Sequence, residues 1–152
     1  MTTIAWDGTT LAADRASWSG GTRRRVRKVE RIVAADGRVF LAAFSGDGAF
    51  CHAVKLWMRG EADRPDPKEF DLEAGTYCAI VIDERRRVWL LTALLHYLPF
   101  REHLFAGGAG QEFVWGALEA GASARRAVQI AAKRSDHAGL GVDCVSFRRS
   151  AQ

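Results

Sequence analysis

The sequence predicts an α+β fold, and three observations predict it. Strand-like runs are grouped rather than alternated with helices: four strands, a helix, a strand pair, two helices and a final strand. That order favours layered α+β packing over βαβ units. The helical segments carry apolar residues at helical spacing, as helices do when they cover a sheet on one side. Finally, 152 residues with 48% apolar and 26% charged composition make one ordinary globular domain, 1–152. A chain of that length buries about two-thirds of its surface.

Taken in order, Thr2 to Trp6 reads as a strand, Asp7-Gly8 as a hairpin dipeptide, and Thr9 to Ala13 as the returning strand. Asp14 then sits just past that strand. Ser17 to Thr22 is rich in glycine and serine and predicts a loop. Val26 to Val33 reads as a third strand, with Val26, Lys28, Glu30 and Ile32 on one face and Arg27, Val29 and Arg31 on the other. Asp36-Gly37 marks a turn. Val39 to Phe44, apolar throughout, predicts a strand covered on both faces.

Ser45-Gly46-Asp47-Gly48 turns the chain into a helix from Ala49 to Arg59, whose apolar stripe is Phe50, Ala53, Val54, Trp57 and Met58. Glu61 to Ala74 is charged, holds Pro65 and Pro67, and predicts a loop or a broken short helix. Thr76 to Asp83 and Arg87 to Ala93 form a hairpin around Glu84-Arg85-Arg86. Leu94 to Phe100 continues as an extended segment in which Pro99 argues against a central strand. His103 to Ala106 leads into Gly107-Gly108-Ala109-Gly110. A helix from Gln111 to Ala120 turns Phe113, Ala117 and Leu118 inward. Ser123 N-caps the next helix, which runs to Arg134 with Ala124, Ala127, Val128 and Ala131 inward. Val142 to Arg148 is the last strand.

Several function classes are disfavoured. No apolar run approaches the roughly 20 residues that span a bilayer, so no membrane association is expected. The start has no basic region followed by an apolar core, which predicts the cytoplasm. Cys51, Cys78 and Cys144 are scattered and read as reduced core thiols. The histidines have no ligand spacing, so neither a metal nor another cofactor is expected. Arg23-Arg24-Arg25 with Arg27 and Lys28 is a basic run within a net charge of +4. No stacking aromatics interleave it, so contacts between subunits or solvation explain it better than nucleic acid does.

The chemistry points to the first residues. Trimming of Met1 would leave Thr2 as an N-terminal nucleophile whose own α-amine is the base. Such an amine has an ordinary pKa of roughly 7.7–8.0 and becomes a better-populated base once a nearby cation lowers it. Lys28 is a candidate for that cation and Asp14 for the acid that holds it.

Thr2-Thr3-Ile4, Leu11-Ala12-Ala13-Asp14 and Arg27-Lys28-Val29-Glu30-Arg31-Ile32 resemble the start of proteasome β-type subunits, most nearly the HslV-like ones. Ser45-Gly46-Asp47-Gly48, Gly107 to Gly110 and Asp136 to Gly141 extend the likeness over most of the chain. The resemblance implies a four-layer αββα N-terminal-nucleophile hydrolase sandwich of two antiparallel sheets. It implies a threonine peptidase acting on polypeptides within a homo-oligomeric ring, with an ATP-dependent unfoldase as partner. It assigns Thr2 as nucleophile, the Gly46 N–H to the oxyanion, and Asp136 to support of the N-terminus. It places Ser17, Val26, Glu30, Phe44 and Gly48 around the substrate residue before the cut, with Phe44 toward the floor. Glu30 would then disfavour acidic residues there, unless a neighbouring arginine neutralises it. The chain departs from the family at Gly108 and Gly139, where serines are usual, and in the shortened Glu61–Ala74 segment. Two other readings on the same fold are an inactive shell subunit and a non-peptide amidase.

Overall fold

The computed structural model describes residues 2–73 and 77–148. Its elements in chain order begin with β1 (Thr3–Trp6) and β2 (Thr10–Asp14), followed by a small hairpin of β3 (Ala16–Ser19) and β4 (Thr22–Arg25). Next come β5 (Val29–Val33), β6 (Val39–Phe44), α1 (Gly48–Met58) and a 3-10 turn at Pro67–Glu69. Then follow β7 (Tyr77–Ile82), β8 (Val88–Thr92), β9 (Tyr97–Phe100), β10 (Phe105–Gly108), α2 (Gln111–Glu119), α3 (Ala124–Ala132) and β11 (Val142–Ser146). None of these helices is long and apolar enough to cross a membrane.

Two antiparallel sheets result. One has the order β10-β1-β2-β11 and the other β5-β6-β7-β8-β9. Strand alternation sorts their side chains into three packed layers. Ile4, Trp6, Leu11 and Ala13 meet Val29, Leu41, Ala43, Ile80 and Ile82 between the sheets. Ala42, Phe44 and Val81, on the opposite face of the second sheet, pack against Phe50, Val54 and Met58 of α1. Ala5, Ala12 and Ala106 pack against Val114, Leu118, Ala127, Val128 and Ala131 of α2 and α3. The architecture is therefore helix, sheet, sheet, helices, as the resemblance implies. Burying each large aliphatic side chain contributes about 1.5–3 kcal/mol. The alanines of the first sheet let α2 and α3 approach closely.

Side chains cap two of the helices, one of them, at Ser123, as the sequence predicts. Ser123 accepts from Arg126 N, and Asp47 accepts from Phe50 N at 2.8 Å. Asp7 does double service. Its Oδ1 accepts from Thr9 N and Thr10 N to close the first hairpin, and its Oδ2 accepts from Ala124 N at the start of α3.

Five expectations need correction. The strand expected over Val26 to Val33 begins at Val29, so Val26 and Lys28 lie before it and not on a strand face shared with Glu30. Asp14 is the last residue of β2, paired with Val142, rather than a residue beyond the strand. The expected loop at Ser17 to Thr22 is mostly strand: Ser17 to Ser19 lie in β3, Thr22 opens β4, and only Gly20 and Gly21, both at positive φ, make the turn. Phe105–Gly108 is a strand, paired with β1. Phe113 faces solvent at 46% exposure, and Val114 takes the inward position. Pro99 does lie on an edge strand, β9. Met1, Ala74, the expected end of the charged segment, and Thr76, the expected first residue of the strand pair, lie outside the described residues.

Candidate active site

β1 places Thr2 at the open end of the first sheet, and backbone bonds hold it there. Ala109 N donates to Thr2 O at 3.0 Å, and Thr3 Oγ1 donates to Ala109 O at 2.7 Å. Thr2 Oγ1 reaches Phe44 O only at 3.4 Å. That bond is long for a hydroxyl donor, so the oxygen is not committed to it.

Asp14 is the hub beneath Thr2, and it is fully buried. Its Oδ1 accepts from Thr3 N at 2.9 Å and from Lys28 Nζ at 2.9 Å. Its Oδ2 accepts from Ala16 N and Gly139 N, each at 3.2 Å. Four donors on one buried carboxylate satisfy its oxygens and fix its rotamer. Lys28, 6% exposed, enters from just before β5, where its carbonyl accepts from Phe44 N. Burial pushes the Lys28 amine below the usual lysine range, and the hydrogen bond and charge of Asp14 oppose that only in part.

Thr2, Gly46, Asp47, Asp71, Tyr77 and Gly108 line one cleft of about 700 Å³. Gly46 sits at φ +98°, and its N–H enters no hydrogen bond among the described residues. Thr2 and Gly46 thus line the same space.

Gly108 has a structural reason to be glycine. Its φ is +81°, and a Cβ there would lie 1.6 Å from the Thr2 carbonyl oxygen. Gly139 has φ +152° and uses its N–H to hold Asp14. Backbone therefore stands at both positions where the resemblance leads one to look for serine hydroxyls.

The remaining predicted residues divide. Phe44 joins the site through its carbonyl contact with Thr2. Ser17 lies on β3 opposite Arg24, Val26 is 40% exposed, and Gly48 opens α1. Glu30 points to α1: its carboxylate pairs with Lys55 at 3.3 Å and Arg59 at 2.5 Å. The expected negative wall is thereby cancelled by cations of the helix, not by Arg25. Asp136 is exposed in the turn after α3, and none of the described hydrogen bonds or ion pairs includes it. The neighbouring Gly139 N–H makes the contact to the hub instead.

Sequence reasoning missed Ala109 and Tyr77. Ala109 acts through its backbone, so its side-chain type carries no signal. The Tyr77 hydroxyl is buried without a hydrogen-bond partner among the described residues, and burial pushes its pKa up.

No protein-family model matches the chain, and no curated protein matches it in sequence. Solved structures do match. BPH of Thiobacillus denitrificans superposes over 99% of both chains at 19% identity, with a TM-score of 0.67. The structure of that protein in complex with epoxomicin gives a TM-score of 0.64 at the same identity and coverage. Anbu from Hyphomicrobium sp. strain MC1 matches 97% of this chain and 81% of its own, at 13% identity and a TM-score of 0.68. HslV from Trypanosoma brucei matches 95% of this chain and 98% of its own, at 16% identity and a TM-score of 0.60. The chain has the fold of these proteasome-type N-terminal-nucleophile hydrolase subunits.

Proposed function

We propose that this chain, built on a proteasome-type fold, is a threonine peptidase subunit that uses Thr2 as its nucleophile once Met1 is removed. The observation that carries the reading is the shared Oδ1 of Asp14, which binds both Thr3 N and Lys28 Nζ. That one atom ties a buried cation to the backbone next to the proposed nucleophile.

In the proposed reaction, Thr2 Oγ1 attacks the peptide carbonyl carbon and its proton passes to the Thr2 α-amine, directly or through a water. Lys28 favours the neutral amine by like-charge repulsion, and Asp14 fixes Lys28. The oxyanion is received by the Gly46 N–H, a kind of contact worth about 2.7–4 kcal/mol of barrier. The C–N bond breaks, the leaving amine takes the proton, and an ester on Thr2 remains. Water then attacks the ester, and Thr2 Oγ1 recovers its proton. Ser17, Val26, Phe44 and Gly48 are proposed to border the residue before the cut. With Glu30 neutralised, small apolar residues suit that pocket best. Asp136 has no step in this scheme.

The subunit is proposed to work in the cytoplasm, in a homo-oligomeric ring that restricts access to the nucleophile and is served by an ATP-dependent unfoldase. The rival reading, an inactive shell subunit, draws on Gly108 and Gly139, which leave the site without two hydroxyls. Kinetics separate the two. Thr2→Ala is expected to lower cleavage of fluorogenic peptides roughly 10³-fold or more, as loss of a nucleophile does. Its unfolding transition should stay near that of wild type, because the 3.4 Å hydroxyl contact contributes little. A Thr2→Ala protein that cleaves at the wild-type rate, or a wild type that cleaves nothing after loss of Met1, would count against the peptidase.

A further inference from the structure

Two surfaces of opposite charge carry exposed side chains that enter no ion pair among the described residues. The first is the β3–β4 hairpin. Arg23, Arg24, Arg25 and Arg27 are all exposed, and residues 15–29 contain no acidic side chain. Among the described residues, Arg23, Arg24 and Arg25 enter no ion pair. Trp18 lies across the hairpin from Arg23 and is 47% exposed. An exposed tryptophan among arginines has the composition of an interface core and its surround.

The second surface is the segment 61–73, which holds six carboxylates against two cations. Glu61, Asp63, Glu69 and Asp71 are exposed and enter no ion pair among the described residues. This segment is not a loose tail. Phe70 packs tilted against Phe50 at 5.0 Å between ring centroids, Leu72 packs against the α1 cluster, and Asp66 caps the turn at Pro67–Glu69. Its charge is therefore displayed on a fixed scaffold.

The two surfaces lie in different places. Asp71 lines the cleft itself, whereas Arg23 lies beside Gly139, on the side where Asp14 is supported. Each surface repels its own kind and attracts the other. We infer that the arginine hairpin of one copy docks on the acidic segment 61–73 of the next, in a head-to-tail contact beside the active cleft. Such a heterologous contact repeats from copy to copy and closes into a ring when the rotation permits. The charges steer and register the contact, and Trp18 supplies its apolar anchor. This inference rests on the ring reading above and is independent of the chemistry at Thr2.

Charge reversal tests it in the full chain. The triple variant Arg23→Glu, Arg24→Glu, Arg25→Glu is expected to fall from a mass of more than two chains to that of one chain in light scattering. The variant Glu61→Lys, Asp63→Lys, Glu69→Lys should do the same. An equimolar mixture of the two should regain the multi-chain mass, because each reversed surface then meets an opposite one. If a triple variant fails to fold, Arg24→Glu and Glu69→Lys make the same comparison with milder shifts in assembly. The proposal is overturned by a wild type that is a single chain or a dimer, by folded variants that keep the wild-type mass, or by a mixture that stays as single chains. Labelling of Thr2 by a threonine-directed electrophile is scored separately. Labelling without charge-dependent assembly removes only this contact, and charge-dependent assembly without labelling removes only the peptidase.

Discussion

Gly108→Ser is expected to lose activity rather than restore it. A serine at this position looks like a repair, since it would return a hydroxyl that related sites are expected to use. The geometry opposes it. The new Cβ would lie 1.6 Å from Thr2 O and 2.8 Å from Thr2 C, both backbone atoms held by the strand pair. Relief requires moving β10 away from β1, which breaks the Thr3–Gly108 register and the bond from Ala109 N to Thr2 O. A φ of +81° adds its own penalty for a residue with a side chain. Together these are expected to cost about 3 kcal/mol or more, within the range of severe backbone and packing defects. In a chain of this size that lowers the melting temperature by roughly 6–12 °C. Thermal melts and peptide cleavage read the two effects. A Gly108→Ser protein that melts like wild type and cleaves faster would mean that Thr2 is not held as described.

The second large effect is at Lys28. Lys28→Ala leaves the Asp14 side chain fully buried, with three backbone donors but without the Lys28 ammonium on its Oδ1. Breaking a buried pair by removing one partner costs about 3–5 kcal/mol, or roughly 6–20 °C in melting temperature. Activity should vanish as well, so stability must be recovered before the chemistry is judged. Lys28→Met combined with Asp14→Asn removes both charges and keeps an acceptor for Thr3 N. It should regain part of the stability, since the new amide NH2 faces the Ala16 and Gly139 N–H donors, and none of the activity. The pH dependence carries a sign. The folded Lys28 pKa is depressed below its unfolded value near 10.5, so the unfolded chain holds this proton more tightly. Stability from this group therefore rises as pH climbs through the window below 10.5. The rise should be absent from the Lys28→Met, Asp14→Asn protein. Equal pH slopes in that range for the two proteins would show that Lys28 is not desolvated as the fold implies.

Much of the fold is legible in the sequence wherever one face of an element is buried. Val39 to Phe44 reads correctly because both faces are covered, and α3 reads correctly because Ser123 caps it and its alanines recur at helical spacing. The β3–β4 hairpin is not legible, because its strands are mostly exposed and carry no alternation, so only its glycines show. β10 is hidden for a related reason: half of it is glycine, and its pairing with β1 spans about a hundred residues. Within the candidate site, Thr2, Asp14 and Lys28 are legible because each is a chemical type the proposed reaction needs. The partners of Glu30 are not, since Lys55 and Arg59 reach it only after α1 folds back over β5. Asp136 is named by a motif position alone: among the described residues it is exposed and enters no hydrogen bond or ion pair, while the nearby Gly139 N–H binds Asp14.

The central claim is that Thr2 is a nucleophile, and labelling tests it most directly. Wild-type protein lacking Met1 is incubated with epoxomicin, the compound held in one of the BPH structures, and the adduct is located by peptide mapping. The account predicts one adduct per chain, on Thr2, lost in Thr2→Ala and greatly slowed in the Lys28→Met, Asp14→Asn protein. An adduct elsewhere in the chain, or none on a folded protein whose N-terminus is shown to be Thr2, would contradict it.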